Sequence, residues 1–251
     1  MTIDGINVAI AAGGRVGGAF AAETGTEIKA LAPIGASTIL ERTIAAAANI
    51  GARRIVVLGG AEVAERCDER VERVLPDRGE GAGNILACIR AFRDDARRSA
   101  TVVLAGDLPF LDGATFRRYL EAVPEGAVAL GLCTGAQYER RFPGAPPNGV
   151  LLAGERTINA SALVLPHDAI DAVARESAAF FNARKAPWRM AMRAGLGVLF
   201  AHLLGRLTIE RIERRASRVL GAKVAAVRNC APELCFDVDS LDEYRYARAS
   251  L

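Results

Sequence analysis

Short uncharged apolar runs alternate with amphipathic stretches along the first half of the chain. Asn7–Ala12 reads as a buried strand that opens into a glycine-rich turn, Gly13–Gly18. Apolar positions across Thr38–Asn49 recur at helical spacing, with Ser37 placed as the cap. Arg54–Gly59 is a second buried strand and Val71–Leu75 a short third. A helix over Ile85–Asp94, a strand at Thr101–Ala105, a helix over Thr115–Ala122 and a strand at Val128–Leu132 follow. Strands alternating with helices of this length predict βαβ units and a mostly parallel sheet, hence an α/β fold.

The second half breaks this rhythm. Tyr138–Gly154 is rich in Gly, Pro and Arg and reads as a loop, and Asn159–Leu165 returns as an apolar strand. Phe180–Leu220 then carries two helical patterns, Ala191–Leu204 and Thr208–Leu220, the second with Thr208 as its cap and Gly221 as its stop. Strands at Lys223–Val227 and Leu234–Asp237 and a helix over Leu241–Arg248 close the chain. The expectation is one domain over residues 1–251 with a helical insertion at about 178–221.

Composition narrows the setting. The chain has 251 residues, 51% of them hydrophobic, enough to bury one full core. The first twenty residues lack the basic start of an export signal, and no apolar run reaches the roughly 18 residues of a membrane span. Five cysteines without CxxC spacing read as reduced thiols of a cytoplasmic protein, and two histidines make zinc a poor fit. The formal net charge is +3, but Arg175–Arg228 holds twelve basic residues against three glutamates. Such a segment on an acidic body favours phosphate-bearing ligands or an anionic surface over nucleic acid, and solvated helix faces would look the same.

Candidate chemistry begins at Val102–Pro109, where an apolar strand ends in one carboxylate, Asp107. Ligands of open α/β sheets bind just beyond the carboxyl ends of strands, so Asp107 is placed to hold a metal or a substrate hydroxyl; a turn or capping aspartate is the plain alternative. The turn Ala11-Ala12-Gly13-Gly14-Arg15 offers backbone N–H groups to phosphates. It is neither a Walker A loop nor GxGxxG. Lys29, just before a proline-terminated apolar segment, could neutralise a triphosphate.

Read in order, these segments carry a resemblance. The strand into AAGG, Lys29–Gly35 (KALAPIG), Gly83–Phe92 (GNILACIRAF), Val102–Leu111 (VVLAGDLPFL) and Cys235–Tyr244 (CFDVDSLDEY) resemble nucleotidyltransferases of the GT-A-like fold, nearest the molybdenum-cofactor guanylyl- and cytidylyltransferase group. The resemblance spans residues 7 to about 248 and implies a three-layer α/β fold. It implies nucleotide contacts from Ala11, Ala12, Gly13, Gly14, Arg15, Lys29, Gly59, Asn84 and Asp107. It makes Asp107 and Asp239 magnesium ligands, with Asp237 beside them, and Lys29, Asp107 and Asp239 the catalytic set. The implied partners are Mg²⁺, an NTP (GTP or CTP favoured) and a phosphorylated acceptor, with no role for nucleic acid. The loop from Gly14 to Lys29 departs from the family: it is longer, and it lacks the Arg-Met or Arg-Phe pair.

The chemistry of nucleotidyl transfer suits these residue types. Attack on an α-phosphate with pyrophosphate leaving needs positioning and charge neutralisation more than a base. Two carboxylates can hold Mg²⁺, while a lysine and backbone N–H groups meet the growing negative charge. Two other readings stand beside this one. The first is a binder of nucleotides that keeps the fold without catalysis. The second is a dinucleotide-dependent oxidoreductase, disfavoured because the second strand ends in Gly59-Gly60 and not in an acid. The helical pair, Ala191–Leu204 and Thr208–Leu220, is expected to fold over the acceptor side with Arg211, Arg214, Arg215 and Arg218 facing an anionic acceptor; extension of the core, contact with a second copy of the chain and docking on an anionic membrane are its alternatives.

Overall fold

The computed structural model describes residues 5–183 and 207–251. The helix expected over Ala191–Leu204 lies outside the described residues. Strands running in one direction build most of the sheet. They are β1 (Asn7–Ala11), β4 (Arg54–Leu58), β5 (Arg73–Leu75), β6 (Thr101–Ala105) and, further out, β7 (Val128–Thr134) with β10 (Val224–Arg228) parallel to it. The long strand β9 (Glu155–Leu165) runs antiparallel between β6 and β7, so the order is β10-β7-β9-β6-β1-β4-β5. A short β8 (Val150–Leu152) pairs only with the start of β9. Pro33–Ile34 and Ser37–Thr38 form a separate two-stranded ribbon, β2 and β3.

Strand periodicity explains the layers. Val8 and Ile10 of β1 point to one face with Val102, Leu104, Ile55 and Val57, while Ala9, Val56, Leu58 and Val103 point to the other. The first face is covered by α2 (Ile39–Asn49), α5 (Gly113–Ala122) and α9 (Leu241–Ser250), which supply Leu40, Ile44, Phe116 and Tyr244. The second is covered by α4 (Gly81–Arg90) and α7 (Ile170–Ala183), with Ile89 and Ile170 against the strands. A single turn of helix, α3 (Ala61–Ala64), leads from β4 towards β5. Phe116 is wholly buried, and its truncation to alanine would cost about 3–5 kcal/mol.

Three local expectations change. The cap of α2 is Thr38 and not Ser37: its Oγ1 accepts from the Glu41 N–H while the Glu41 carboxylate accepts from the Thr38 N–H, a reciprocal pair that Ser37 cannot make. The segment Tyr138–Gly154 is not all loop, because Thr134 and Gln137 form the same reciprocal cap and start α6 (Gly135–Arg141). Leu234–Asp237 is no strand. Pro232 opens a 3-10 turn there, and the Val238 N–H leaves for the Asp107 carbonyl (3.1 Å) instead of a ladder.

The long Gly14–Lys29 loop contains a helix of its own, α1 (Ala19–Thr24). Phe20 is buried edge to face against Tyr244, with ring centroids 5.7 Å apart, and Glu23 receives Arg245 and Arg248 of α9 at 2.6 and 3.0 Å.

The last expected basic helix, α8 (Ile209–Leu220), stops at Gly221, whose φ of 63° a residue with a Cβ would resist. It lies along β10 and against α7. Glu213 accepts from the Ala226 N–H at 2.7 Å and Ser217 Oγ from the Val224 N–H at 3.0 Å, so the helix caps the open edge of that strand. The strand it covers, β10, is three strands from β6, about 14 Å at ordinary strand spacing. Two polar side chains of the helix expected over the acceptor side, Glu213 and Ser217, thus satisfy a strand edge. Among the described residues, no helix is long and apolar enough to cross a membrane.

Candidate active site

The carboxyl ends of β1, β4 and β6 lie side by side, since the ladders pair Ala11 with both Leu58 and Ala105. Whatever follows these three strands therefore converges. After β1 the chain turns through Gly13 and Gly14, and after β6 through Gly106 to Asp107. The loop before α9 then arrives over the same ends, tied down by the bond from Val238 to Asp107.

Lys29 is the centre of the arrangement. Its N–H donates to the Gly14 carbonyl at 3.0 Å, which fixes the backbone beside the glycine turn. Its ammonium lies 2.6 Å from Asp107 Oδ2 and 2.5 Å from Asp239 Oδ1. A Cβ on Gly14 would stand 2.6 Å from Lys29 Cε, so the side chain crosses the turn through room that glycine leaves. Lys29 and Asp107 are largely buried, whereas the Asp239 side chain is 64% exposed. Burial disfavours the lysine charge, but Asp107 and Asp239 outweigh it and hold the ammonium above the usual lysine range. Burial pushes the Asp107 carboxyl upward, and Lys29 acts against that rise.

Asp237 sits one step deeper. It accepts from Ser161 Oγ of β9 at 3.0 Å and does not reach Lys29 as a direct partner. Burial pushes its carboxyl up to about 6, helped by the nearby Asp107 and Asp239 charges and opposed by Ser161. Asp239 is oriented by the loop: its N–H donates to Glu243 at 2.8 Å, and Ser240 caps α9 through the Glu243 N–H.

On the other side of the glycine turn a second constellation appears. Asn84 is buried in α4, donating from Nδ2 to Asp77 Oδ1 at 2.9 Å and accepting the Arg78 N–H at 2.8 Å. The Gly79 N–H also donates to Asp77 Oδ1, at 2.9 Å. These donors, Gly79 first, hold the Asp77 carboxyl below its usual range. A Cβ on Gly13 would meet Asn84 Nδ2 at 2.6 Å and Asp77 Oδ1 at 3.3 Å. Asn84 thus acts as the brace of the 77–79 loop, and Asn84 and Asp77 both lie beside Gly13. Sequence reasoning passed over Asp77, although Asp-Arg-Gly after a short strand is an Asx-turn signature.

The remaining site residues play lesser parts. The Ala12 N–H donates to the Leu58 carbonyl (2.8 Å) and the Gly59 N–H to the Leu75 carbonyl (3.0 Å), so both donors are already engaged in strand ends and are not offered to phosphate. Ala11 closes β1 in the sheet ladder. Arg15 faces outward between Glu27 and Glu62, 3.7 Å from each.

Asp107 and Asp239 offer hard carboxylate oxygens converging on one cationic group, which suits a magnesium-type ion sharing its remaining positions with phosphate and water. Among the described residues, no set of three or more His, Cys, Asp or Glu side chains is placed to hold a metal ion, so such an ion would rest on two protein carboxylates and its substrate.

Comparisons with known proteins agree with this fold. A hypothetical transferase from Thermus thermophilus superposes with a TM-score of 0.81 at 26% identity, covering 95% of this chain and 99% of that one. The same fold recurs in a 2-C-methyl-D-erythritol 4-phosphate cytidylyltransferase, also from Thermus thermophilus (TM-score 0.54, 16% identity, 98% of each chain). It recurs again in Rv0371C from Mycobacterium tuberculosis H37Rv, solved in complex with manganese (TM-score 0.52, 18% identity, 98% of this chain and 100% of that one). No curated protein matches the sequence. The sequence profile of the MobA-like NTP transferase domain matches residues 8–216, and the chain belongs to that family of nucleotidyltransferases.

Proposed function

We propose that the protein transfers a nucleotidyl group from an NTP to a phosphorylated small-molecule acceptor, with Mg²⁺ as cofactor and pyrophosphate as the second product. The observation that carries this reading is Lys29 held between Asp107 and Asp239 on the glycine turn that closes β1. An acceptor phosphate oxygen forms a bond to the α-phosphorus, the bond from that phosphorus to the bridging oxygen breaks, and pyrophosphate leaves with the electron pair. Such an acceptor is already ionised at neutral pH and needs no protein base. Lys29, whose side chain crosses Gly14, supplies positive charge to phosphates bound beside the turn. Asp107 and Asp239 would hold the divalent ion, which when bound neutralises triphosphate charge.

Asp77 bears on the base. Its Oδ1, the oxygen nearer Gly13, accepts from Asn84 and Gly79, which leaves Oδ2 as the acceptor for a base. A base that presents N–H donors, guanine above all and then cytosine, fits a carboxylate there. The 4-phosphate acceptor named for the cytidylyltransferase neighbour supports an acceptor phosphate here, and the manganese of Rv0371C supports a divalent ion. Acceptors of the molybdenum-cofactor type are the first to try, and the free thiols suit a cytoplasmic setting.

The test is a screen of four NTPs against phosphorylated acceptors, read by pyrophosphate release and by mass of the nucleotidyl product. Release with GTP or CTP and one acceptor class is the expected result. Tight nucleotide binding with no release across the panel would make the protein a binder and overturn the reading.

A further inference from the structure

The ammonium of Lys29 stands where a second cation would have to stand. An ion bonded to Asp239 Oδ1 at about 2.1 Å could lie no further from Nζ than the sum of that bond and the 2.5 Å contact. The same limit applies through Asp107 Oδ2 at 2.6 Å. An ion on both oxygens would therefore stand within roughly 4.6 Å of the ammonium, where the two positive charges repel in a largely buried setting, so the lysine disfavours an ion on these two oxygens. The Lys29 backbone is fixed by its bond to Gly14, and the side chain crosses over that glycine. Lys29 thus covers two places at once: the gap between the carboxylates and the glycine turn offered to phosphates.

We infer that Lys29 is the resident cation of the Asp107–Asp239 site in the substrate-free protein, and that a divalent ion enters only together with a nucleotide whose phosphates draw the ammonium away. This rests on the reading that these two carboxylates hold the metal. The exchange keeps charge balanced throughout: the two carboxylates never face each other without a positive partner. It also makes the metal ion and the nucleotide mutually dependent ligands, because each favours the lysine position that the other needs.

The test uses the whole protein and Mn²⁺ as the probe, with free Mn²⁺ counted by electron paramagnetic resonance. Without nucleotide, wild type should bind Mn²⁺ at least about tenfold more weakly than Lys29→Met and Lys29→Gln. Addition of GTP or CTP should bring wild type up to tight binding. Equal or weaker binding by both variants would overturn the inference. Should neither variant fold, wild type itself decides, since its lysines number three (Lys29, Lys185 and Lys223). In protein labelled with ¹⁵N-lysine, the protected Lys29 ammonium resonance should persist in Mg²⁺ alone and shift when Mg²⁺ and NTP are added together. A shift in Mg²⁺ alone would overturn it. Pyrophosphate release by wild type is scored separately, so failure of the transfer reading shows there and not in the Mn²⁺ comparison.

Discussion

Phe110 and Phe236 meet edge to face, with ring centroids 4.9 Å apart. Each lies next to an acid-bearing turn: Phe110 follows the Asp107-Leu108-Pro109 turn, and Phe236 precedes Asp237. Phe142 packs against both, at 4.7 and 5.0 Å. Two segments more than a hundred residues apart in sequence are thus joined through aromatic packing beneath the carboxylates. The separation of Asp107 from Asp239 is set by that packing together with the bond from Val238 to the Asp107 carbonyl.

Phe236→Ala should therefore do more than loosen a core. The truncation is expected to lower stability by about 3–5 kcal/mol, read by denaturant unfolding. It should also reduce turnover of the remaining folded protein by tenfold or more. Unchanged turnover per folded molecule would mean that the aromatic contact has no part in spacing the acids.

Asp107→Asn keeps the shape of the side chain and removes its charge. Pyrophosphate release should fall at least ~10²-fold, the scale of losing one preorganised electrostatic contact. Wild-type turnover in this variant would remove Asp107 from the reaction.

The Asp77 carboxylate gives a prediction about base choice. Asp77→Asn replaces one acceptor oxygen by a donor, while Asn84 can still brace the loop. The ratio of kcat/KM for the preferred base over the others should fall by ~10-fold or more, since a site left with an unmatched polar group discriminates poorly. A steady-state comparison across the four NTPs reads it directly, and an unaltered ratio counts against Asp77 as the base reader.

Asp237 should show itself in the pH dependence of stability. Its folded value, about 6, lies above the ordinary aspartate value, so the native state resists its ionised form. The penalty is present at pH 7 and above and is relieved as pH falls through 6 toward 4, on the order of 2–3 kcal/mol in all. Asp237→Asn should raise the melting temperature at pH 7.5 and flatten the profile between pH 7 and 5. A variant with the wild-type profile would refute this.

At the opposite end of the sheet Asp95 carries the reverse sign. It is buried between Arg53, the Asn7 amide (3.1 Å) and the Ser99 N–H (3.3 Å). Burial would raise its carboxyl, but Arg53 and Asn7 hold it well below the usual range. Its stabilisation is present above the ordinary aspartate value and is lost as pH falls below it. Asp95→Ala should cost about 1–3 kcal/mol by leaving the half-buried Arg53 without its partner, with turnover per folded molecule unchanged. Thermal melts between pH 3 and 7 measure the first effect and pyrophosphate release the second.

Much of this was legible in residue order. Apolar runs ending at Ala11, Leu58 and Ala105 announced parallel strands, and strand ends are where ligands go, so Asp107 stood out from a single carboxylate after a buried run. Lys29 and Asp239 became readable only through motif order, because nothing local joins residues 210 positions apart. Asp77 was missed for a related reason. It is an ordinary turn aspartate until Asn84 and Gly13 are brought beside it. The packing of α8 was not legible, because a basic, amphipathic stripe says that one face is covered without saying by what. Here Glu213 and Ser217, a minority on that helix, turn to the protein, and the covered object is a strand edge.

That capped edge limits how two copies of the chain could associate. Strand-by-strand joining of sheets needs a row of free N–H and C=O groups, and along β10 the Val224 and Ala226 donors are already taken by Ser217 and Glu213. At the far end β5 is only three residues long. Among the described residues, a continuous sheet through two molecules would start at β5 or at β8, where Val150 and Leu151 stand exposed. On the α8 side, contact between copies would be restricted to side chains.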